Sequence, residues 1–246
     1  MHFRRLLTFS LVFPSVLLTS CQKENALDCV KSTGQIISET RSLPPFRKLK
    51  VSDNLDVKIV ADTAHFVEVK AGENLQENIL AEVRNGELWL QNINKCNWVR
   101  SYRKPVEITV HVANLTDIFQ DGFGTISSES VLPSDSLFLH LTSSGDYDLN
   151  LKTKFLWLDM YETGDMKLQG TNEKLNAYNY SMGRLQASGL QNKEANILVT
   201  HLGDAYVEAT QILSATIENK GNVYYKNQPD KVSRQGKGEG QLLQLK

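Results

Sequence analysis

No surplus of basic residues marks this chain: 27 Lys and Arg stand against 28 Asp and Glu, a formal net charge of −1. That balance excludes the clustered cations a nucleic-acid binder needs to neutralise phosphates. Cysteine is scarce, and neither cysteine beyond Cys21 has the CxxC or Cys/His spacing of a metal site. A helical membrane span takes about 20 apolar residues, and the apolar segment Leu6 to Leu18 is too short and too early to be one. Catalytic signatures are missing as well. No HExxH pair and no Gly-x-Ser-x-Gly nucleophile elbow occurs, and Gly122-Phe123-Gly124 precedes no helix pattern that would make it a phosphate loop. His65, His111, His140 and His201 are scattered over separate segments. These absences lead us to expect no enzymatic activity, no metal and no cofactor.

What is present is a repeat. From about Leu115 onward an alternating apolar run leads into a small or polar residue and a glycine, and a second alternating run follows. The anchoring glycines are Gly124, Gly145, Gly164, Gly183, Gly203, Gly221 and Gly240, and successive differences are 21, 19, 19, 20, 18 and 19. Units such as LFLHLTSSGDYDL and LWLDMYETGDMKL align on that glycine without gaps. Leu137, Leu139 and Leu141 stand eight, six and four residues before Gly145, as Leu156, Leu158 and Met160 do before Gly164. Period-two spacing puts these side chains on one face of a strand. The glycine is expected to take a positive φ at the corner, and Asp146, Asp165, Asp204 and Asn222 follow it as turn residues. Each unit reads as strand, corner, strand.

Two architectures satisfy that pattern. Stacking like on like makes an all-β parallel solenoid, with rungs about 4.8 Å apart. Folding each unit as a hairpin makes an antiparallel meander or barrel instead. The solenoid is the expectation, because it explains why the same columns stay apolar at one length through unit after unit.

The chain before the repeat divides into three. Residues 1–20 read as a signal peptide, with Arg4 and Arg5 ahead of the apolar segment. The segment ends in Leu18-Thr19-Ser20-Cys21, which resembles the lipobox of bacterial lipoproteins; the resemblance implies lipidation at Cys21, with an ordinary cleaved signal as the alternative. Gln22 at the next position, where an aspartate would retain a lipoprotein in the inner membrane, implies an outer-membrane or cell-surface address. Residues 21–45, ending in Leu43-Pro44-Pro45, read as a tether. Cys29 and Cys96 form either one disulfide or two free thiols. Residues 46–112 form a β part without the repeat's period. Its clearest signal is the hairpin dipeptide Asn85-Gly86, and it is expected to cover one end of the stack. Residues 46–246 thus read as a single domain, with the degenerate last unit Val232 to Leu245 closing the other end.

The succession Phe46-Arg47-Lys48-Leu49-Lys50-Val51, Leu55-Asp56-Val57-Lys58-Ile59, Ser143-Ser144-Gly145-Asp146 and Tyr225-Lys226-Asn227-Gln228-Pro229 resembles the bacterial head GIN domain family of autotransporter-adhesin type. Asn227 stands where that family usually has glycine. The resemblance spans essentially all of 46–246. It implies a solenoid-like all-β fold in a secreted or lipid-anchored protein, and it carries over no functional residues.

Parallel stacking has one consequence for binding. It sets Phe138 beside Trp157, seven residues before their glycines, and Tyr161 beside Tyr180, three before, with Tyr178 and His140 in the column between. These positions alternate with the core columns, so Phe138, Trp157, Tyr161, Tyr178 and Tyr180 form a candidate binding face for a glycan or an extracellular protein. An aromatic ladder that only stabilises neighbouring strands is the competing reading. Asp159 with Glu162, or Asp146 with Asp165, are the carboxylate pairs a polysaccharide-acting enzyme would need, although turn chemistry already explains the corner aspartates. The expectation is a non-catalytic binding or adhesion module; a structural envelope protein without a ligand is the alternative, and an enzyme the weakest.

Overall fold

The computed structural model describes residues 32–95 and 106–245. Cys21, Cys29 and Cys96, and with them the lipidation and disulfide readings, lie outside the described residues. The strands are β1 (Ile36–Ser42), β2 (Lys48–Asp53), β3 (Asp56–Ala61), β4 (Phe66–Gly72), β5 (Ile79–Arg84), β6 (Glu87–Asn92), β7 (Glu107–Val112), β8 (Asp117–Gly122) and β9 (Thr125–Ser128). They continue with β10 (Leu132–Leu141), β11 (Asp146–Met160), β12 (Met166–Asn179), β13 (Leu185–Val199), β14 (Ala205–Ile217), β15 (Val223–Lys226), β16 (Lys231–Gln235) and β17 (Leu242–Gln244).

All pairings from β8 onward are parallel, so the repeat is a solenoid and not a meander. Leu137 pairs with Leu156, and Leu156 with Leu175, an advance of one 19-residue unit at each step. The stack has two sides. One runs β5–β6–β2–β8–β10, continues through the second halves of β11 to β14, and ends at β16. The other runs β1–β4–β7–β3–β9, then the first halves of β11 to β14, then β15 and β17. The inward columns fill the space between. Leu139, Leu158, Ala177, Ile197 and Ala215 form one such column, each at most 3% exposed. Burying a leucine or isoleucine side chain is worth about 1.5–3 kcal/mol, so the columns supply the driving force.

The N-terminal third is more than a lid. β2 and β3 form a full rung wedged between the β6/β7 rung and the β8/β9 rung, with Leu49 pairing both Leu88 and Ile118. The covering role falls to the antiparallel strands β1, β4 and β5. β1 lies inside the stretch read as a tether. Ile36–Ser42 pairs along its whole length with β4, and the Arg41 guanidinium donates to the Gln76 carbonyl at 3.0 Å. The folded domain therefore starts about ten residues earlier than 46, because an alternating segment beside an open strand edge finds ladder partners. The Asn85-Gly86 hairpin forms between β5 and β6 as its sequence predicts, both residues having positive φ (53° and 76°).

The corner glycines correct one expectation. None of the seven has a positive φ; the positive-φ glycines among the described residues are Gly34, Gly86, Gly170 and Gly236. The corner glycines exist for close approach. A Cβ on Gly164 would fall closer than 3.0 Å to the Gly145 carbonyl oxygen, one on Gly183 to that of Gly164, and one on Gly203 to that of Gly183. Each glycine thus makes room for the backbone of the preceding rung. The residue after it serves the same stacking. Asp146 Oδ1 accepts from the backbone N–H of Asp165 at 2.8 Å, Asp165 from Arg184 at 2.8 Å, Asp204 from Asn222 at 2.7 Å, and Asn222 from Gln241 at 2.9 Å. The pattern reaches the N-terminal third, where Asp56 Oδ1 accepts from Thr125 at 3.0 Å. These side-chain oxygens tie one rung to the next.

Polar groups finish the last rung and the corner opposite the glycines. Arg234, in an inward column, donates to the carbonyls of Gly236, Gly238 and Gly240 at 2.6–3.1 Å, closing the last corner over the core. At the corner opposite the glycines a buried ladder runs Thr153 to Asn172 (2.8 Å) to Asn192 (2.7 Å), ending on the Glu208 carbonyl (2.9 Å). Satisfied in this way, the buried amides cost little, and they hold the register where the backbone turns.

A candidate ligand-binding face of stacked aromatics

The outward columns of the β10–β14 side follow from strand alternation alone: residues between Leu137, Leu139 and Leu141 face out. Register then puts Phe138 beside Trp157, and lines up His140, Asp159 and Tyr178. The five predicted residues meet as one continuous cluster. Trp157 lies 6.2 Å from Phe138 and 5.3 Å from Tyr178, centroid to centroid. Tyr161 stacks on Tyr180 at 5.2 Å and 14°, and Tyr178 on Tyr180 at 6.4 Å and 13°.

The structure adds members that the glycine-aligned columns contain but the sequence reading passed over. Phe119, five residues before Gly124, stacks on His140 at 4.1 Å and 12°. Phe155 meets Phe138 edge-on at 6.0 Å. Trp89 also joins this side, through the register Trp89–Lys50–Phe119, and Lys50 Nζ sits 4.7 Å over its indole. No glycine marks that rung, so only the β6–β2–β8 pairing reveals it.

The face is not uniformly open. Phe138, Trp157 and Tyr178 are half-buried, because each ring leans on rings of the neighbouring rungs, whereas Tyr161 and Tyr180 are exposed. Burial among these rings, with the Asp159 carboxylate as a second cause, raises the Tyr161 hydroxyl above its ordinary value. Asp159 itself is only 6% exposed despite its outward column. His140 Nδ1 lies 3.1 Å from its Oδ2, and since a carboxylate only accepts, the imidazole N–H donates. Asp159 thus orients the ring stacked on Phe119.

Three of the four carboxylates named as candidate pairs are engaged within the fold. Asp159 is engaged by His140, and Asp146 holds the Asp165 backbone while Asp165 pairs with Arg184 at 2.9 Å. Among the described residues no group of three or more His, Cys, Asp or Glu is placed to hold a metal, and no helix is long and apolar enough to cross a membrane.

The molecule is a two-sided parallel β-solenoid carrying an aromatic outer face. The chain belongs to the family described as "Putative auto-transporter adhesin, head GIN domain", whose model matches residues 45–229. The last rung, β16 with β17, lies beyond that match. Among solved structures the chain is similar to a "putative adhesin" from Bacteroides fragilis, at 23% identity over 86% of this chain and 97% of that one, with a TM-score of 0.80. It is also similar to a "Putative lipid binding protein" from Parabacteroides distasonis (19% identity, 87% and 98% covered, TM-score 0.70). A "putative adhesin" from Parabacteroides distasonis is a third (20% identity, 86% and 98%, TM-score 0.68). At these identities the likeness concerns the fold. Among curated proteins none matches the chain.

Proposed function

We propose that this protein is a non-catalytic binding or adhesion module of the bacterial cell envelope. In this reading it is a lipoprotein held through Cys21 at the outer membrane or cell surface, and it presents the aromatic side of the solenoid to a glycan or an extracellular protein. The observation that carries the proposal is the clustering of Phe138, Trp157, Tyr161, Tyr178 and Tyr180 on one outward side. Rings on an outward face contribute nothing to the core columns, and aromatic side chains dominate contact surfaces because they bury much area at low entropic cost. The adhesin description of the family supports the same class of function.

The name of the lipid-binding neighbour raises acyl-chain capture as another class. The interior argues against it here. The apolar-lined cavity by Leu115, Ile118, Leu132 and Leu137 has a volume of only about 10 Å³, at the bottom of what a single water needs. The inward columns are occupied by the protein's own side chains.

The test is a glycan and matrix-protein binding array probed with the purified chain, then with Trp157→Ala and Tyr178→Ala. Retention of a defined ligand that both variants lose supports the proposal. Absence of any retained ligand favours the structural envelope protein, and polysaccharide turnover the enzyme. Lipidation is tested separately: Cys21→Ser is expected to abolish labelling by a fatty-acid probe, and normal labelling would remove the anchor from the reading.

A further inference from the structure

The aromatic side ends at the glycine corner, where the most exposed apolar residues of the middle rungs gather. Tyr161 is 42% exposed, Tyr180 38%, Met182 54% and Leu202 51%. Met182 and Leu202 stand one residue before Gly183 and Gly203; Tyr161 and Tyr180 stand three before Gly164 and Gly183. These three glycines lie directly on one another in adjacent rungs, so the four side chains share one corner of three successive rungs, with Tyr161 and Tyr180 stacked. Nothing inside the fold calls for apolar residues there. In the two preceding rungs the Met182 column holds Ser144 and Thr163, which hydrogen-bond to each other at 2.9 Å, and Lys220 follows Leu202. The corner beneath Met182 is already satisfied by Asn179 and Ser181, bonded at 2.6 Å.

Charge around the patch is predominantly acidic. Along the glycine edge Asp121, Asp146, Glu162, Asp165, Asp204, Glu218 and Glu239 outnumber the cations Arg184, Lys220 and Lys237, with His201 beside them. Arg184 is taken by Asp165 at 2.9 Å, and Lys220 lies 3.8 Å from Glu239. Among the described residues Asp121, Asp146, Glu162, Asp204 and Glu218 form no ion pair with a cation, and Glu162 directly adjoins Met182 through the Met182 N–H to Glu162 carbonyl bond at 3.0 Å. An apolar centre of Tyr, Met and Leu inside an acidic rim has the composition of a protein-interface core. A neutral sugar is served less well. Sugars pack on open ring faces, whereas Tyr161 and Tyr180 turn a face toward each other at 14°.

We propose that the glycine edge around Tyr161, Tyr180, Met182 and Leu202 docks a polypeptide partner whose apolar anchor side chains are flanked by lysine or arginine. The inference rests on the reading of the protein as a binding module and names the partner class for the exposed margin of the aromatic side. The acidic rim steers the basic flanks and the patch desolvates the anchors.

Calorimetric titration of the full chain with three probes tests it: a decapeptide alternating lysine with leucine and tryptophan, the same peptide with glutamate replacing lysine, and cellohexaose. The basic peptide is expected to bind, more weakly as salt is raised, with the glutamate peptide weaker by at least about tenfold. Met182→Ser combined with Leu202→Ser is expected to lower that affinity by at least about tenfold with an unchanged melting temperature. Phe123→Ser, in the same column three rungs away, leaves it unaltered. Equal binding of the basic peptide to the double variant overturns the proposal, since rim charge alone then explains it, and so does absence of binding at millimolar peptide. Binding of cellohexaose that depends on Trp157 and ignores Met182 and Leu202 overturns it too, while leaving the binding-module reading intact.

Discussion

The repeat and the N-terminal third build the same kind of rung by different routes. In the repeat each residue pairs with one about 19 positions away, as Leu137 does with Leu156. In the N-terminal third Leu49 pairs with residues 39 and 69 positions on, Leu88 and Ile118, because the chain lays down β2 and β3 first and builds the adjoining rung afterwards. Repetition lets each unit template the next through local columns. The first third must find its place by long-range closure, which costs more chain entropy before any contact repays it. Where the register is repeated, glycine and aspartate mark it; where it is not, the marks thin out to single residues such as Asp56.

The largest effect that would break this comparison comes from a buried charge. Leu158→Asp, between Leu139 and Ala177, is expected to cost about 5 kcal/mol or more and to unfold the domain. Val57→Asp, between Ile108 and Ile126, should do the same if the N-terminal rung belongs to the same cooperative stack. Denaturant unfolding followed by circular dichroism checks both. A Val57→Asp protein that keeps a cooperative repeat transition would show that the first third is only an appendage.

Next come the glycines, which serve opposite purposes in the two regions. Gly183→Ala forces a Cβ into the Gly164 backbone and is expected to destabilise by about 3 kcal/mol, as overpacking does. Gly86→Ala meets nothing within 4 Å and is penalised only by its left-handed φ of 76°, about 1–2 kcal/mol. Melting temperatures of the two variants sharpen the contrast. An equal or reversed order would mean that the rungs separate easily at the corner.

The smallest difference concerns crosslinks. Thr142→Cys with Tyr161→Cys joins adjacent rungs of the repeat, and Ser52→Cys with Asp121→Cys joins adjacent rungs across the boundary between the regions. Parallel neighbours sit at about 4.8 Å, within disulfide reach, so both pairs are expected to oxidise. The second closes the longer loop and should stabilise by about 1 kcal/mol more. Thermal unfolding with and without reductant measures that difference.

How much of this was legible before the fold was known differs by residue. The parallel stack, the core columns through Leu139 and Leu158, the Asn85-Gly86 hairpin and the gathering of Phe138, Trp157, Tyr161, Tyr178 and Tyr180 all follow from sequence, because period two and period 19 are local properties of the chain. The meaning of the corner glycines was not legible: a glycine needed for positive φ and a glycine needed for backbone approach look identical in a sequence. Three further features needed tertiary structure. These are the insertion of β2 and β3 between later rungs, the burial of Asp159 under an outward face, and the division of the aromatic residues into half-buried Trp157 and Tyr178 and exposed Tyr161 and Tyr180. Each depends on which segments lie side by side across 20 to 70 positions, and that is set by how whole rungs close on one another, a competition that no single stretch of sequence records.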